Sequence, residues 1–337
     1  MTSVMSLFGD KRNCVSIMPT TKKHNDLFHY TSTDAFVKML EKKRKDKSSD
    51  LTFWASNIHY MNDPHEMEFL YDELNTILPE LESELGIDET PFSAFDFSKN
   101  IPNGLYIDFD NDFKGQIFNN IFKSVYAISF SGKEDYLPMW SLYGNNGGGI
   151  CLKFDYRKLK LYFEKVKKED ITKRIIEIKY DIKNQEIWPK IMKLYKEYHT
   201  QINVESGQDP FILRRKFISR VLLEFCLIMK HHSYSYEEEI RLIDHAVFID
   251  ELGDYKKNVK VEPLRGRFKK ATAPNVRVKN GLLIPYKEIN LPVDCLTSVI
   301  VGPTVNSRLQ CEAMEILLKR AKLNIEVIPS SVPFRLL

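Results

Sequence analysis

Glu237, Glu239 and Arg241, within the run Tyr236-Glu237-Glu238-Glu239-Ile240-Arg241, have the types and spacing to do chemistry. On a strand, alternate side chains share a face, so both carboxylates and the guanidinium would project together. Such a set is costly to bury unless its members pair or hold a ligand. At the end of a helix the same letters read differently: Glu237 and Arg241 become an i,i+4 pair on a solvated surface. His29, followed by Tyr30 and Thr31, sits where a strand gives way to a helix, a place where ligands are received. A lone histidine also serves as a satisfied structural residue. His231-His232 are adjacent, so their side chains point apart and make poor co-ligands. No His/Asp/Glu set has metal-ligand spacing, and neither a Gly-x-Ser-x-Gly elbow nor a Gly-Lys-Ser/Thr phosphate loop occurs. Gly144-Asn145-Asn146-Gly147-Gly148-Gly149 could cradle a phosphate through backbone N–H groups, but no helix start follows, which favours a plain turn. Trp140 and Tyr143, three apart, share a helical face and could stack on a planar ring or sit in a core.

The elements that must position these residues are legible in outline. Leu27 to Tyr30 is an apolar-aromatic strand, followed by N-cap candidates Thr31, Ser32, Thr33 and Asp34 and by Phe36, Met39 and Leu40 at helical spacing. Lys42 to Lys47 close that helix with cations. Leu51 to Ala55 reads as a second strand. From about Glu66 to Leu85 the apolar stripe Met67, Leu70, Leu74, Ile77, Leu78, Leu81 predicts a helix. Thr90 to Asp112 is aperiodic and predicts a surface loop. Val125 to Phe130, Ile150 to Phe154, Ile240 to Ile249, Leu296 to Val301 and Ile325 to Ile328 read as strands. Ile187, Ile191, Leu194, Tyr195 and Tyr198 mark one helix; Asp209 with Pro210 opens another. Ser307 and Gln310 form a capping box for a helix reaching Leu323. Without regular βαβ alternation, the class is α+β. Residues 1–24 read as a flexible arm. Residues 25–337 read as a single domain with helical insertions at about 66–124 and 184–231.

Composition excludes little but narrows the setting. Hydrophobic residues make up 43% and charged residues 28%, an ordinary globular balance. No stretch approaches the roughly 18 apolar residues of a membrane span, and no signal peptide opens the chain, so a cytoplasmic protein without membrane association is expected. Cys14, Cys151, Cys226, Cys295 and Cys311 are scattered, which predicts reduced thiols and argues against structural zinc. Net charge is only +3. Yet Lys256, Lys257, Lys260, Arg265, Arg267, Lys269, Lys270, Arg277 and Lys279 crowd one stretch with a single acid, Glu262, and could meet phosphates or form a solvated loop.

Several motifs occur in a telling order. They are His29-Tyr30, Asn62-Asp63-Pro64-His65-Glu66, Ser129-Phe130-Ser131, Met139-Trp140-Ser141-Leu142-Tyr143 and Gly149-Ile150-Cys151. Lys230, Tyr234, Tyr236, Glu237, Glu239 and Arg241 follow, and Val301-Gly302-Pro303 and Ser331-Val332-Pro333-Phe334-Arg335 close the pattern. Over residues 27–337 the chain resembles a mostly bacterial family catalogued as a domain of unknown function. That family more distantly resembles the ADP-ribosyltransferase superfamily. The resemblance implies a split pair of small mixed sheets flanked by helices, with NAD as substrate and no metal. It implies His29 on a ribose of NAD, Ser129 and Ser131 supporting the cleft, and the Glu-x-Glu pair Glu237 and Glu239, with Glu239 in the catalytic place. Tyr30, Thr31, Asn62, Trp140, Tyr143 and Arg241 complete the implied NAD site; Tyr30, Trp140 and Tyr143 compete to stack on nicotinamide.

Breaking the nicotinamide–ribose bond creates an oxocarbenium-like transition state. A carboxylate on the ribose 2′-OH, here Glu239, stabilises that charge. Glu237 would orient or deprotonate the acceptor, and Arg241 would pair with a carboxylate or phosphate. The expected activity is ADP-ribosyl transfer to a macromolecule, nucleic acid ahead of protein, with Arg265, Arg267, Lys269 and Lys270 as nucleic-acid contacts. A bacterial toxin or phage-defence effector with a neutralising antitoxin partner fits that activity. NAD hydrolysis on the same pocket, or a non-catalytic binding module, are the alternatives.

Overall fold

In the computed structural model, residues 24–63, 68–95, 125–169, 173–202, 209–245, 274–279, 281–304 and 306–333 are described. They fall into two compact units: one drawn from 62–123 and 178–235, the other from 20–61, 124–177 and 236–337.

The second unit carries every strand of the sheet. Its elements are β1 (Asp26–Thr31), α1 (Thr33–Asp46), β2 (Asp50–Asn57), β3 (Val125–Ser131), α3 (Leu137–Leu142), β4 (Ile150–Asp155), α4 (Tyr156–Glu169) and β5 (Lys173–Glu177), then β6 (Glu239–His245), β7 (Asn275–Lys279), β8 (Leu282–Pro292), β9 (Leu296–Val301), α7 (Ser307–Arg320) and β10 (Glu326–Pro329). The strand order is β10-β9-β4-β1-β3-β2-β8-β7, with β6 on β3 and β5 on β6. All pairs are antiparallel except β9 with β10. β6 runs along the whole of β3, from Val125↔His245 to Ser131↔Glu239. β1 and β2 must therefore share the other edge of β3: β2 holds Tyr126 and Ala127, β1 meets only Ser131. The sheet splits at that point.

Local chemistry explains the framework. Ser32 caps α1 by accepting from the Ala35 N–H at 3.2 Å, and Lys47 ends it in the left-handed region, φ 52°. Alternation sends Leu27, Leu51, Phe53, Phe130, Phe154, Ile240 and Val299 to one side, where Phe36 and Met39 of α1, Leu159 and Phe163 of α4 and Met314 and Leu318 of α7 cover them. A smaller cluster of Phe28, Tyr30, Met139, Trp140, Cys151 and Ile300 lies on the other side. The glycine turn before β4 is steric: a Cβ on Gly149 would fall 2.3 Å from the Thr31 carbonyl oxygen, and one on Gly302 2.2 Å from that of Gly147.

The first unit contains α2 (Phe69–Leu85), α5 (Trp188–His199) and α6 (Pro210–Phe225). Asp209 caps α6, accepting from the Phe211 N–H at 2.9 Å. Phe92, in a 3-10 turn at Phe92–Phe95, packs tilted against Tyr195 with ring centroids 4.8 Å apart. Tyr195 donates to Glu82 at 2.7 Å, so this buried carboxylate is satisfied.

Several expectations are adjusted. Helix α2 is described over Phe69–Leu85, and Glu66 and Met67 at the expected start lie outside the described residues. Ser307 is the first residue of α7, not its cap: Asn306 holds that position without a side-chain bond. Strands β5, β7 and β8 and helix α4 had no sequence expectation, and the basic stretch ends in β7 rather than wholly in a loop. Residues 1–23 of the arm, most of the loop 90–112 and residues 246–249 of the 240–249 strand lie outside the described residues.

Candidate active site

Two backbone features set the stage at the start of β6. Residues His232–Glu237 form a 3-10 turn, so Glu237 is not on the strand as the alternation implied. Glu238 then takes φ 42°, a left-handed conformation uncommon for a residue with a Cβ, and the strand opens at Glu239. That reversal still leaves both outer carboxylates buried, Glu237 and Glu239 each 3% exposed. The i,i+4 surface pair is thereby excluded.

Each buried acid has a named partner. Arg241, 1% exposed, grips Glu239 bidentately, Nε to Oε1 and Nη2 to Oε2 both at 2.7 Å. The Tyr143 hydroxyl donates to Glu237 Oε1 at 2.6 Å, and the Ser131 hydroxyl donates to the Glu237 carbonyl at 2.6 Å. Glu238 turns outward to Lys133, 3.0 Å away. Gly132 donates to the Glu238 carbonyl at 2.9 Å, and a Cβ there would meet Glu238 Oε2 at 3.0 Å.

β3 supplies the facing side. Ser131 lies opposite Glu239 and Ser129 opposite Arg241, so both serines share the carboxylate face. Buried Ser129 Oγ has no hydrogen-bond partner among the described residues. Because Gly132 bonds to Glu238, ladder alternation turns the backbone groups of Ser129 and Ser131 away from β6, toward the split. There the Ser129 carbonyl accepts from His29 Nδ1 at 2.8 Å. A carbonyl can only accept, so Nδ1 carries the proton and the neutral ring keeps Nε2 as an acceptor. The His29 ring is wedged against Phe53 and Phe130, at 5.3 and 5.8 Å. Burial, only partly offset by the Ser129 bond and helped by the charges of Lys279 and Arg277, pushes its pKa down to about 4.

His29 and the carboxylates are thus linked through Ser129 but do not share a face. Phe28 pairs with Ser131, so Phe28 and Tyr30 take the carboxylate side while His29 and Thr31 take the other. Among the three aromatic candidates, Trp140 is fully enclosed and Tyr30 is 6% exposed; they meet edge to face at 5.0 Å. Their polar atoms are spent on the scaffold. Tyr30 donates to the Lys133 carbonyl and accepts from the Tyr136 N–H, and burial pushes its pKa upward. The Trp140 indole donates to Asp135 at 2.8 Å. Tyr143 alone of the three is partly exposed.

Asp135 is a scaffold residue that sequence reading missed. Besides Trp140 it accepts from the Ser331 N–H and hydroxyl at 2.7 and 2.8 Å and from the Ser330 hydroxyl, tying the segment after β10 to the loop before α3. Burial raises its pKa, but these hydrogen bonds outweigh that and hold it below the usual carboxylate value. Its positive φ, 43°, is a signal that Lys133-Glu134-Asp135, read as letters, does not carry.

The remaining expected residues belong to the first unit or fall outside the described residues. Asn62 is exposed and belongs to the first unit. In that unit Lys230 is buried, its ammonium 4.4 Å from the Tyr234 ring centroid. Arg265, Arg267, Lys269 and Lys270 fall outside the described residues. Among the described residues no group of three His, Cys, Asp or Glu could hold a metal ion, and no helix is long and apolar enough to cross a membrane. No curated protein and no solved structure matches the chain. Residues 139–242, which contain Trp140, Tyr143, Glu237, Glu239 and Arg241, match the model of a family described as protein of unknown function, DUF2971.

Proposed function

We propose that this chain cleaves NAD and transfers ADP-ribose to a macromolecule. The observation that carries this reading is the pair of buried carboxylates, Glu237 and Glu239, set beside Tyr143 and facing Ser129 and Ser131 where the sheet splits. In this reading Arg241 fixes the plane of the Glu239 carboxylate, which accepts from the ribose 2′-OH and stabilises the oxocarbenium-like charge. Preorganisation of this kind costs no rearrangement during the reaction. Glu237, oriented by Tyr143, takes the proton of the incoming acceptor hydroxyl or amine. Tyr143 is the nicotinamide-stacking ring, since Trp140 and Tyr30 are committed to the scaffold. His29, on the opposite face and bonded to the Ser129 carbonyl, takes no part in holding NAD in this reading.

The acceptor in this reading is nucleic acid ahead of protein, and a bacterial toxin or defence effector held by a neutralising protein is the setting that fits. Nicotinamide release from NAD, measured for the wild type and Glu239→Gln with and without RNA, DNA or cell lysate, tests it. Release by the wild type alone, stimulated by one addition, supports transfer. Release without need of any acceptor supports hydrolysis instead.

One observation favours a second reading. Both Glu239 oxygens are engaged by Arg241, so the pair could be purely structural in a non-catalytic binding module. Absence of NAD binding and of nicotinamide release under every condition would select that reading.

A further inference from the structure

A second polar cluster lies on the β2-β8-β7 side of the sheet. Arg277 of β7 stacks its guanidinium 5.5 Å from the Trp54 ring centroid and 5.8 Å from that of Tyr286. The two rings are 5.3 Å apart and tilted by 45°. Nη2 donates to Ser56 Oγ at 2.7 Å, which locks the fork in place. Nε is buried and has no acceptor among the described residues. Lys279 follows two residues along the same strand and so on the same face, about 7 Å away.

These two cations have no carboxylate in ion-pair reach among the described residues. The acid nearest in register, Glu288 opposite Trp54, is already taken by Lys42 at 2.6 and 2.7 Å. Burial and mutual repulsion lower the pKa of Lys279, and burial lowers that of Arg277. Protein structure rarely leaves a stacked guanidinium with a buried, unanswered N–H. A planar fork, a second cation and two adjacent rings are the parts that recognise a phosphate together with a flat base.

From this arrangement we infer that Arg277, Lys279, Trp54, Tyr286 and Ser56 form a nucleotide-phosphate subsite separate from the carboxylate pair. Arg277 Nε and the Lys279 ammonium bind the phosphate, and the aromatic pair offers a stacking surface for the base. The phosphate belongs to a single-stranded nucleic acid or to a free dinucleotide. The subsite does not rest on the NAD-cleaving reading, because it uses none of Glu237, Glu239 or Arg241.

The test is fluorescence anisotropy of a labelled adenine-homopolymer RNA on the full chain, with unlabelled RNA, NAD, adenosine monophosphate and inorganic phosphate as competitors. The wild type should bind the strand, and Arg277→Gln should weaken it about tenfold or more while lowering the salt slope by about one. Arg277→Lys, which keeps charge but loses the fork, should fall between. Lys319→Gln, an exposed charge on α7, should bind as the wild type does. Displacement by the strand alone assigns the subsite to nucleic acid, and displacement by NAD or the mononucleotide assigns it to a free nucleotide. Three results overturn the inference: no probe binds the wild type, Arg277→Gln binds unchanged, or Lys319→Gln loses as much as Arg277→Gln. A lower melting temperature in Arg277→Gln with unchanged affinity would make the arginine a brace for the hairpin, and overturn it equally.

Discussion

Replacing Arg241 by Met takes the bidentate partner from the Glu239 carboxylate in a site where the two side chains are 1% and 3% exposed. Removing one member of so buried a pair takes the bidentate partner from the other charge and costs about 3–5 kcal/mol. Glu239→Gln keeps shape and one acceptor oxygen but takes the carboxylate charge from the guanidinium, for about 3 kcal/mol. The double variant Glu239→Gln/Arg241→Met removes both charges, so it should be more stable than additivity allows by at least about 2 kcal/mol. Urea unfolding reports all four proteins, followed by tryptophan fluorescence to which fully buried Trp140 contributes, with equal m-values as the check on comparable denatured states. Costs that simply add, or single-variant costs below about 1 kcal/mol, would refute the claim of a desolvated, coupled pair. The same preparations separate structure from catalysis. A double variant that is folded and releases no nicotinamide places the chemistry on these residues. One that is folded and retains the wild-type biological effect leaves them to the scaffold.

Two further outcomes follow from the same geometry. His29 has a folded-state pKa of about 4 against an ordinary 6.5, so the unfolded chain binds its proton more readily. The stability His29 contributes is complete above about pH 6.5 and is lost as pH falls toward 4. The shift sets a ceiling of about 3 kcal/mol, trimmed to about 1–2 by partial exposure of the ring. His29→Asn should flatten that part of the stability profile, and an unaltered acid limb would contradict it. Gly149→Ala places a Cβ 2.3 Å from the Thr31 carbonyl oxygen and 2.8 Å from that of Gly144, both backbone atoms that cannot swing aside. It should cost at least about 2 kcal/mol in a thermal melt, and a melting temperature within a degree or so of wild type would show that the turn relaxes freely.

Much of the framework is written locally in the chain. The strands at β1, β3, β4 and β9 follow from short apolar runs, and α6 from Asp209, Pro210 and the spacing of Phe217, Val221 and Phe225. Glu237, Glu239 and Arg241 stand out because three charges at alternate positions next to an apolar run demand an explanation. Longer-range matters were not legible. α4, with the sequence YRKLKLYFEKVKKE, is so rich in lysine that its buried Tyr156, Leu159 and Phe163 are visible as a face only once the sheet beneath them is known. Glu238 carries no letter-level sign of its left-handed turn, which exists because Gly132 and Lys133 hold it from a strand about a hundred residues away. The side of the sheet taken by His29 depends on the register of β1, which pairs Phe28 with Ser131 and His29 with Leu152, since a shift of one turns every side chain over. Likewise Arg277 in the sequence is one cation among nine, and only the pairing of β7 with β8, and of β8 with β2, brings Trp54, Ser56 and Tyr286 around it. Residue type and spacing determined which groups could do chemistry, because those are properties of the local chain. Which of them meet, and whether water reaches them, was decided by strand register and burial, which arise only when distant segments pack.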